Sequence, residues 1–181
     1  SKSKIRNKIL KIRKKRHKKK IEIKFNRIYN LLKKNIILKK KIVGGYYPVN
    51  YEIDDLEILR ELIKKKIKIS LPVIEKKKDM NFYNWTFDDP LALNYYGIPE
   101  PSKTKIVIPD ILLVPLVAYD RKRFRLGYGG GFYDRYISKI EKKNKLFTIG
   151  LAYSFQKINK LPTNKYDKRL NIILTEKDIL K

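Results

Sequence analysis

A chain of 181 residues with 43% hydrophobic and 12% aromatic residues has the size of one domain and too much apolar material for a disordered segment. The absence of cysteine excludes disulfides, thiolate nucleophiles, iron–sulfur clusters and zinc knuckles, and the one histidine, His17, stands inside the basic run 13–20, away from any candidate triad or metal cage. The net charge of +27 is uneven: residues 1–41 hold 19 Lys/Arg against Glu22 alone (+18), and residues 42–181 hold 26 against 17 (+9).

Such an excess suits nucleic-acid binding, in which Lys and Arg neutralise phosphates. It also follows from composition alone, because the abundant Lys, Ile, Asn and Tyr share AT-rich codons. No stretch approaches the ~20 consecutive apolar residues of a membrane span, and the lysine-rich start lacks the apolar centre of a signal peptide. A cytoplasmic protein with no membrane partner is expected.

In chain order, Ile5, Ile9 and Ile12, then Ile21, Phe25, Ile28 and Leu32, recur at steps of three and four, which predicts two basic amphipathic helices within about residues 1–40. Their apolar stripes need a partner surface, so both are expected to pack on the remaining domain. Residues 42–47 read as a strand ended by Pro48. Asp54 and Asp55 then cap a helix carrying Leu56, Leu59, Leu62 and Ile63, and 67–74 is the next strand. The section up to about residue 110 has no clear period. Residues 111–117 are almost wholly apolar, as in a strand buried on both faces. A glycine loop, a helix from about Gly131 through Ile137 and Ile140, and strands at 147–152 and 172–174 complete the chain. This alternation predicts an α/β fold with a mostly parallel central sheet covered by helices, forming one domain over 1–181 and binding its ligand at the carboxyl ends of the strands. One core accounts for the apolar stripes, so a monomer is expected.

The most informative segment is Arg125-Leu126-Gly127-Tyr128-Gly129-Gly130-Gly131-Phe132-Tyr133-Asp134-Arg135-Tyr136. Glycines permit positive φ and close approach of backbone N–H groups to a ligand, and the helix that follows adds positive dipole charge, which together outline a phosphate cradle. Neither standard nucleotide motif is present, since no Gly-x-x-x-x-Gly-Lys-Ser/Thr occurs and Phe132 stands where the dinucleotide fingerprint needs glycine. On local chemistry a tight strand-to-helix turn without a ligand remains open. An RNA-recognition strand is a weaker reading, because three consecutive glycines would spoil it.

Together with Gly97-Ile98-Pro99-Glu100-Pro101, Pro109-Asp110 before Ile111-Leu112-Leu113-Val114-Pro115, Ala118-Tyr119-Asp120, and the ending Asp167-Lys168-Arg169-Leu170-Asn171-Ile172-Ile173-Leu174-Thr175-Glu176, this segment resembles the 5-formyltetrahydrofolate cyclo-ligase family, also called methenyltetrahydrofolate synthetases. The resemblance spans essentially the whole chain. It implies a three-layer α/β/α fold of the sugar-phosphate isomerase and coenzyme A transferase kind. The implied partners are ATP as co-substrate, magnesium (Mg2+), and 5-formyltetrahydrofolate, a folate that can carry a polyglutamate tail; no prosthetic group and no obligate nucleic acid are implied.

Residue by residue, the resemblance places the nucleotide at Arg125, Leu126, Gly127, Tyr128, Gly129, Gly130, Gly131, Phe132 and Tyr133, with Lys2 and Arg6 reaching it from the first helix. Arg125 and Tyr133 are the implied catalytic residues, and Asp134 and Asp167 the magnesium carboxylates. The folate side falls on Tyr47, Glu52, Tyr128, Gly129, Gly130, Gly131 and Phe132. The chain departs from the family pattern at Tyr166, where many members have histidine, at Asn171, where aspartate is frequent, at Gly130, where some have lysine, and at Tyr47, where an aliphatic residue is expected. A basic protein that keeps the fold and binds nucleic acid through residues 1–41, or an inactive homologue, are the alternatives.

Overall fold

The chain forms α1 (Lys2–Arg16), α2 (Phe25–Asn35), β1 (Ile42–Gly44), α3 (Leu56–Lys64), β2 (Lys68–Ile74), β3 (Met80–Asn84), β4 (Leu91–Leu93), β5 (Pro99–Pro101) and β6 (Ile106–Val107). There follow β7 (Ile111–Pro115), β8 (Ala118–Tyr119), β9 (Arg125–Leu126), α4 (Phe132–Glu141), β10 (Phe147–Leu151), β11 (Ile172–Leu174) and β12 (Ile179–Leu180). The structure is a computed structural model that describes residues 1–181 apart from the side chain of Lys77.

Eight strands make one sheet in the order β12-β11-β10-β7-β1-β2-β3-β6, and β4–β5 and β8–β9 are separate two-stranded hairpins. The run β11-β10-β7-β1-β2 is parallel throughout, and the outer pairs β11–β12, β2–β3 and β3–β6 are antiparallel. In β7, Ile111 and Leu113 point into one apolar cluster, and Leu112 and Val114 point into another. That two-sided burial is why the strand reads as an unbroken apolar run.

Helices α2 and α3 cover the first face through Ile28, Leu31, Leu32, Ile58, Leu59 and Leu62. Helix α4 covers the second through Tyr136, Ile137 and Ile140. The result is three layers, helix on sheet on helix. The crossover from β1 through α3 to β2 runs one way along the sheet, and that from β7 through α4 to β10 runs the other. With crossovers of one hand, opposite directions put the two helices on opposite faces.

Helix α1 lies outside these layers. Its Ile9, 4% exposed, packs with Val117, Ala118, Leu126 and Leu161, so α1 sits beyond the carboxyl end of β7 on the β8–β9 hairpin. Burying one such side chain contributes roughly 1.5–3 kcal/mol.

Several predicted elements differ in extent. The strand expected over 42–47 ends at Gly44, because the next residues leave the sheet: Tyr46 N–H donates to Asp55 Oδ2 (2.9 Å), and its hydroxyl donates to the Ile53 carbonyl (2.6 Å). The strand expected over 111–117 ends at Pro115, and Ala118 starts the hairpin instead. Of the two expected caps on α3, Asp54 accepts the Leu56 N–H (2.8 Å), whereas the Asp55 side chain turns into the core.

Candidate active site

The winding direction reverses between β1 and β7, and in open α/β sheets a crevice forms there beyond the carboxyl ends of the strands. Here it is a cleft of about 1330 Å³ whose floor includes Tyr46 and Tyr47 after β1 and Pro115 at the end of β7. A single small-molecule site usually takes about 300–1,000 Å³, so this cleft lies above the range of one small ligand. Residues 125–134, Lys2, Arg6, Tyr47, Glu52 and Asp167 all line it, which brings every candidate site residue to one place, whereas Asn171 lies elsewhere, its Oδ1 accepting the Thr148 N–H (2.8 Å).

The glycine segment forms the wall between β9 and α4. Gly129 has φ +104° and Gly131, the residue before α4, has φ +70°, the left-handed region that side chains disfavour. Gly127 is needed for a different reason. A Cβ there would lie 2.7 Å from Arg125 Nη1, so a side chain at this position would displace the guanidinium from beneath the loop. At Gly130, a Cβ would meet the Phe132 ring at 2.6 Å, so a side chain there requires that ring to move. The backbone N–H groups of Gly129, Gly130 and Gly131 donate to no described group, and they open onto the start of a helix, where the dipole is positive.

Cations surround this loop. Arg6 reaches in from α1, donating from Nε to the Gly127 carbonyl (2.8 Å), and its guanidinium lies 3.6 Å from where a Cβ on Gly129 would be. Arg125 is almost fully buried, stands 5.2 Å over the Tyr133 ring, and leaves its Nε without an acceptor. Two carboxylates complete the group. Asp134 Oδ2 lies 3.7 Å from Arg125 Nη2, and Asp134 Oδ1 accepts the Lys168 N–H (3.1 Å). Asp167 Oδ2 pairs with Lys2 Nζ (2.8 Å) and accepts the Asn164 N–H (2.8 Å). Because Lys168 follows Asp167 in the chain, its N–H bond holds the two aspartates on the same wall.

The opposite wall is a buried pocket of acid and phenol groups. Glu52 is 7% exposed; Oε1 accepts the Val49 N–H (2.7 Å), and Oε2 has no partner. Burial pushes its carboxyl up to about 7, against the lowering pull of the Val49 bond, the Arg13 charge and Tyr128. Burial likewise raises Asp55, the hydroxyl of Tyr133 and that of Tyr128, the neighbouring carboxylates adding to each. All of these phenols are therefore neutral hydrogen-bonding groups at neutral pH.

Arg13 escaped the sequence reading. It is 1% exposed and donates to the carbonyls of Asn50 (2.7 Å) and Leu116 (3.1 Å) and to the Tyr128 hydroxyl. This guanidinium ties α1 to the turn before Glu52, to the end of β7 and to the glycine loop. A signal existed: Arg13 continues the spacing of Ile5 and Ile9 by four, so a charge stands in phase with an apolar stripe. Also missed was the β4–β5 hairpin, whose Tyr96 meets the Phe132 ring edge-on at 6.3 Å and forms the outer rim of the cleft.

Fold and cleft together define an α/β enzyme in which a glycine loop at a helix start faces a buried carboxyl and tyrosine pocket. The model of the 5-formyltetrahydrofolate cyclo-ligase family matches residues 1–176, and the chain belongs to that family. The 5-formyltetrahydrofolate cyclo-ligase of Haemophilus influenzae is 36% identical over 141 residues, 74% of this chain and 75% of that protein. The enzyme of the same name from Escherichia coli K12 is 32% identical over 140 residues, 74% and 76% of the two chains. Among solved structures, a 5,10-methenyltetrahydrofolate synthetase of Aquifex aeolicus superposes with a TM-score of 0.75 at 30% identity, covering 98% of this chain and 91% of that one. A synthetase from Mycoplasma pneumoniae shares the fold, with a TM-score of 0.72 at 24% identity over 97% and 99% of the chains.

Proposed function

We propose that this chain, as one domain and as a monomer of the cytoplasm, converts 5-formyltetrahydrofolate to 5,10-methenyltetrahydrofolate at the expense of ATP, and that the cleft described above is where it does so. One observation carries the assignment to the cleft: a loop of unpaired backbone N–H groups and a buried, unpaired carboxylate oxygen face the same space, one suited to phosphate and the other to paired N–H donors. Three covered apolar clusters support the monomer, and no helix is long and apolar enough to cross a membrane.

In this reading residues 125–133 hold the ATP phosphates. The N–H groups of the glycines cradle oxygens, Arg125, Arg6 and Lys2 supply positive charge, and Arg125 lies closest to the transferring group. The folate ring enters beside Tyr47 and Tyr128 and sets its amino-pyrimidine edge on Glu52, whose free Oε2 is the acceptor that edge needs. The formyl oxygen attacks the terminal phosphorus and ADP leaves. Nitrogen 10 then attacks the formyl carbon and loses its proton, the carbon–oxygen bond breaks, and the oxygen departs with the phosphate. Positioning and charge do most of this work, so the chain needs no histidine base. Tyr133, neutral and fixed against Arg125, donates a hydrogen bond to the transferring group.

The donor set on the wall fits magnesium. Among the described residues no group of three or more His, Cys, Asp or Glu side chains converges, but magnesium needs only one or two protein carboxylates beside phosphate oxygens and water. Asp134 and Asp167 would hold it, releasing their contacts with Arg125 and Lys2 toward phosphate. Bound there, it would neutralise phosphate charge. The test is direct: purified protein, 5-formyltetrahydrofolate and magnesium ATP should give the near-ultraviolet band of the methenyl product. A flat trace from folded protein would reject the reading.

A further inference from the structure

Helix α1 has two faces, and the cleft uses only one. On the inner side Lys2, Arg6 and Arg13 point to the active site, and Ile5, Ile9 and Ile12 pack on the hairpin and its neighbours. On the outer side Lys4, Lys8, Lys11 and Lys15 recur at steps of four, three and four, which places them on one line along the helix. All four are exposed, and none makes an ion pair or a side-chain hydrogen bond to a described group. No acidic residue occurs before Glu22, so nothing local neutralises the row, and Lys18, Lys19 and Lys20 extend it.

We infer that the outer face of α1 is a docking surface for the phosphate backbone of duplex nucleic acid, separate from the catalytic cleft. The chemistry of the row selects this partner. From Lys4 to Lys15 the helix rises about 16 Å at about 1.5 Å per residue. A duplex presents one negative charge per ~1.7 Å of its axis, so a stripe of that length faces a dense line of phosphates. Lysines are flexible point charges suited to phosphate oxygens, whereas reading bases needs bidentate or stacking groups. No aromatic side chain lies on the row, which argues against a single-stranded partner held by stacked bases. A membrane surface fits less well, because an interfacial helix must insert an apolar face and that of α1 is already covered by its own chain. A protein partner would want a large exposed apolar anchor, and none of the exposed large apolar residues lies on α1.

The test is a titration of a short labelled DNA duplex by fluorescence anisotropy at several salt concentrations. For four phosphates neutralised, log Kd should rise with log salt with a slope of about 3 to 4. A variant carrying Lys4→Gln, Lys8→Gln, Lys11→Gln and Lys15→Gln should lose at least tenfold in affinity and most of the salt slope, with cyclo-ligase turnover unchanged. The charge-matched control is Lys34→Gln, Lys39→Gln, Lys145→Gln and Lys160→Gln, four exposed lysines scattered elsewhere; it should bind nearly as the parent does. Equal losses in the two variants would mean diffuse attraction and overturn the proposal. Failure of the parent to bind duplex, or binding to phosphatidylserine vesicles in its place, would overturn it as well.

Discussion

Glu52→Gln should stabilise the protein at alkaline pH while removing its affinity for folate. Burial raises the folded carboxyl from 4.5 to about 7, so the folded state holds this proton more tightly than the unfolded chain does. Below about pH 4.5 both states are protonated and the group is neutral to stability. As pH rises through 4.5 toward 7, the unfolded chain ionises first and is favoured, and above about 7 the loss is complete. The difference of 7 and 4.5 at about 1.4 kcal/mol per unit is roughly 3 kcal/mol, a sizeable part of the 5–15 kcal/mol typical of a domain. Glutamine still accepts the Val49 N–H through its carbonyl and cannot ionise. Urea denaturation of parent and variant across this window is the assay. Asp55, also raised by burial, is common to both and cancels in the comparison. The gap between the two proteins should widen by about 3 kcal/mol from acid to alkaline pH, with the variant gaining. Parallel curves would show that Glu52 is not a desolvated carboxyl and would remove the basis for its role.

Asp134→Asn should abolish magnesium-dependent turnover with the fold intact by circular dichroism; near-normal activity would take Asp134 out of the metal site. Gly129→Val places a branched side chain at φ +104° and into the space beside Arg6, and should lower ATP affinity at least tenfold in a binding titration. Arg13→Met removes three hydrogen bonds that tie α1 to the turn before Glu52, to the end of β7 and to the glycine loop, although the Leu116 carbonyl keeps its bond from Gln156 (2.9 Å), and should lower stability by about 3 kcal/mol in urea. The same change removes the positive charge that lowers Glu52, so the ionisation of Glu52 should move to higher pH.

How far the sequence predicts the structure depends on whether an element carries its own pattern. Strand β7, α2 and α4 do, because β7 is apolar at every position and the helices repeat apolar residues at a period of 3.6, patterns that the order of residues displays by itself. The strands β3 to β6 do not. Met80–Asn84 mixes polar and apolar residues, β5 contains two prolines, and β6 has two residues; β4 and β5 are held by each other in a short hairpin, and β6 by a partner far along the chain, as in the pairing of Phe82 with Val107. The site divides in the same way. Residues 125–134 stand out because so many glycines at a strand-to-helix junction need a reason, and the family resemblance extended that reading to Lys2, Arg6, Glu52 and Asp167. For Arg13 the spacing after Ile5 and Ile9 marks a charge on the buried stripe of α1, but its partners on the turn before Glu52, the end of β7 and the glycine loop are set only by how the elements meet in space.

The measurement that bears most directly on the proposed chemistry uses 5-formyltetrahydrofolate labelled with a heavy oxygen isotope in the formyl group, incubated with the protein and magnesium ATP. If the cleft brings the terminal phosphoryl group to the formyl oxygen, methenyl product should form only with ATP, and the label should appear in the released phosphate. Product formation with the label in water, or no product at all, would contradict the account.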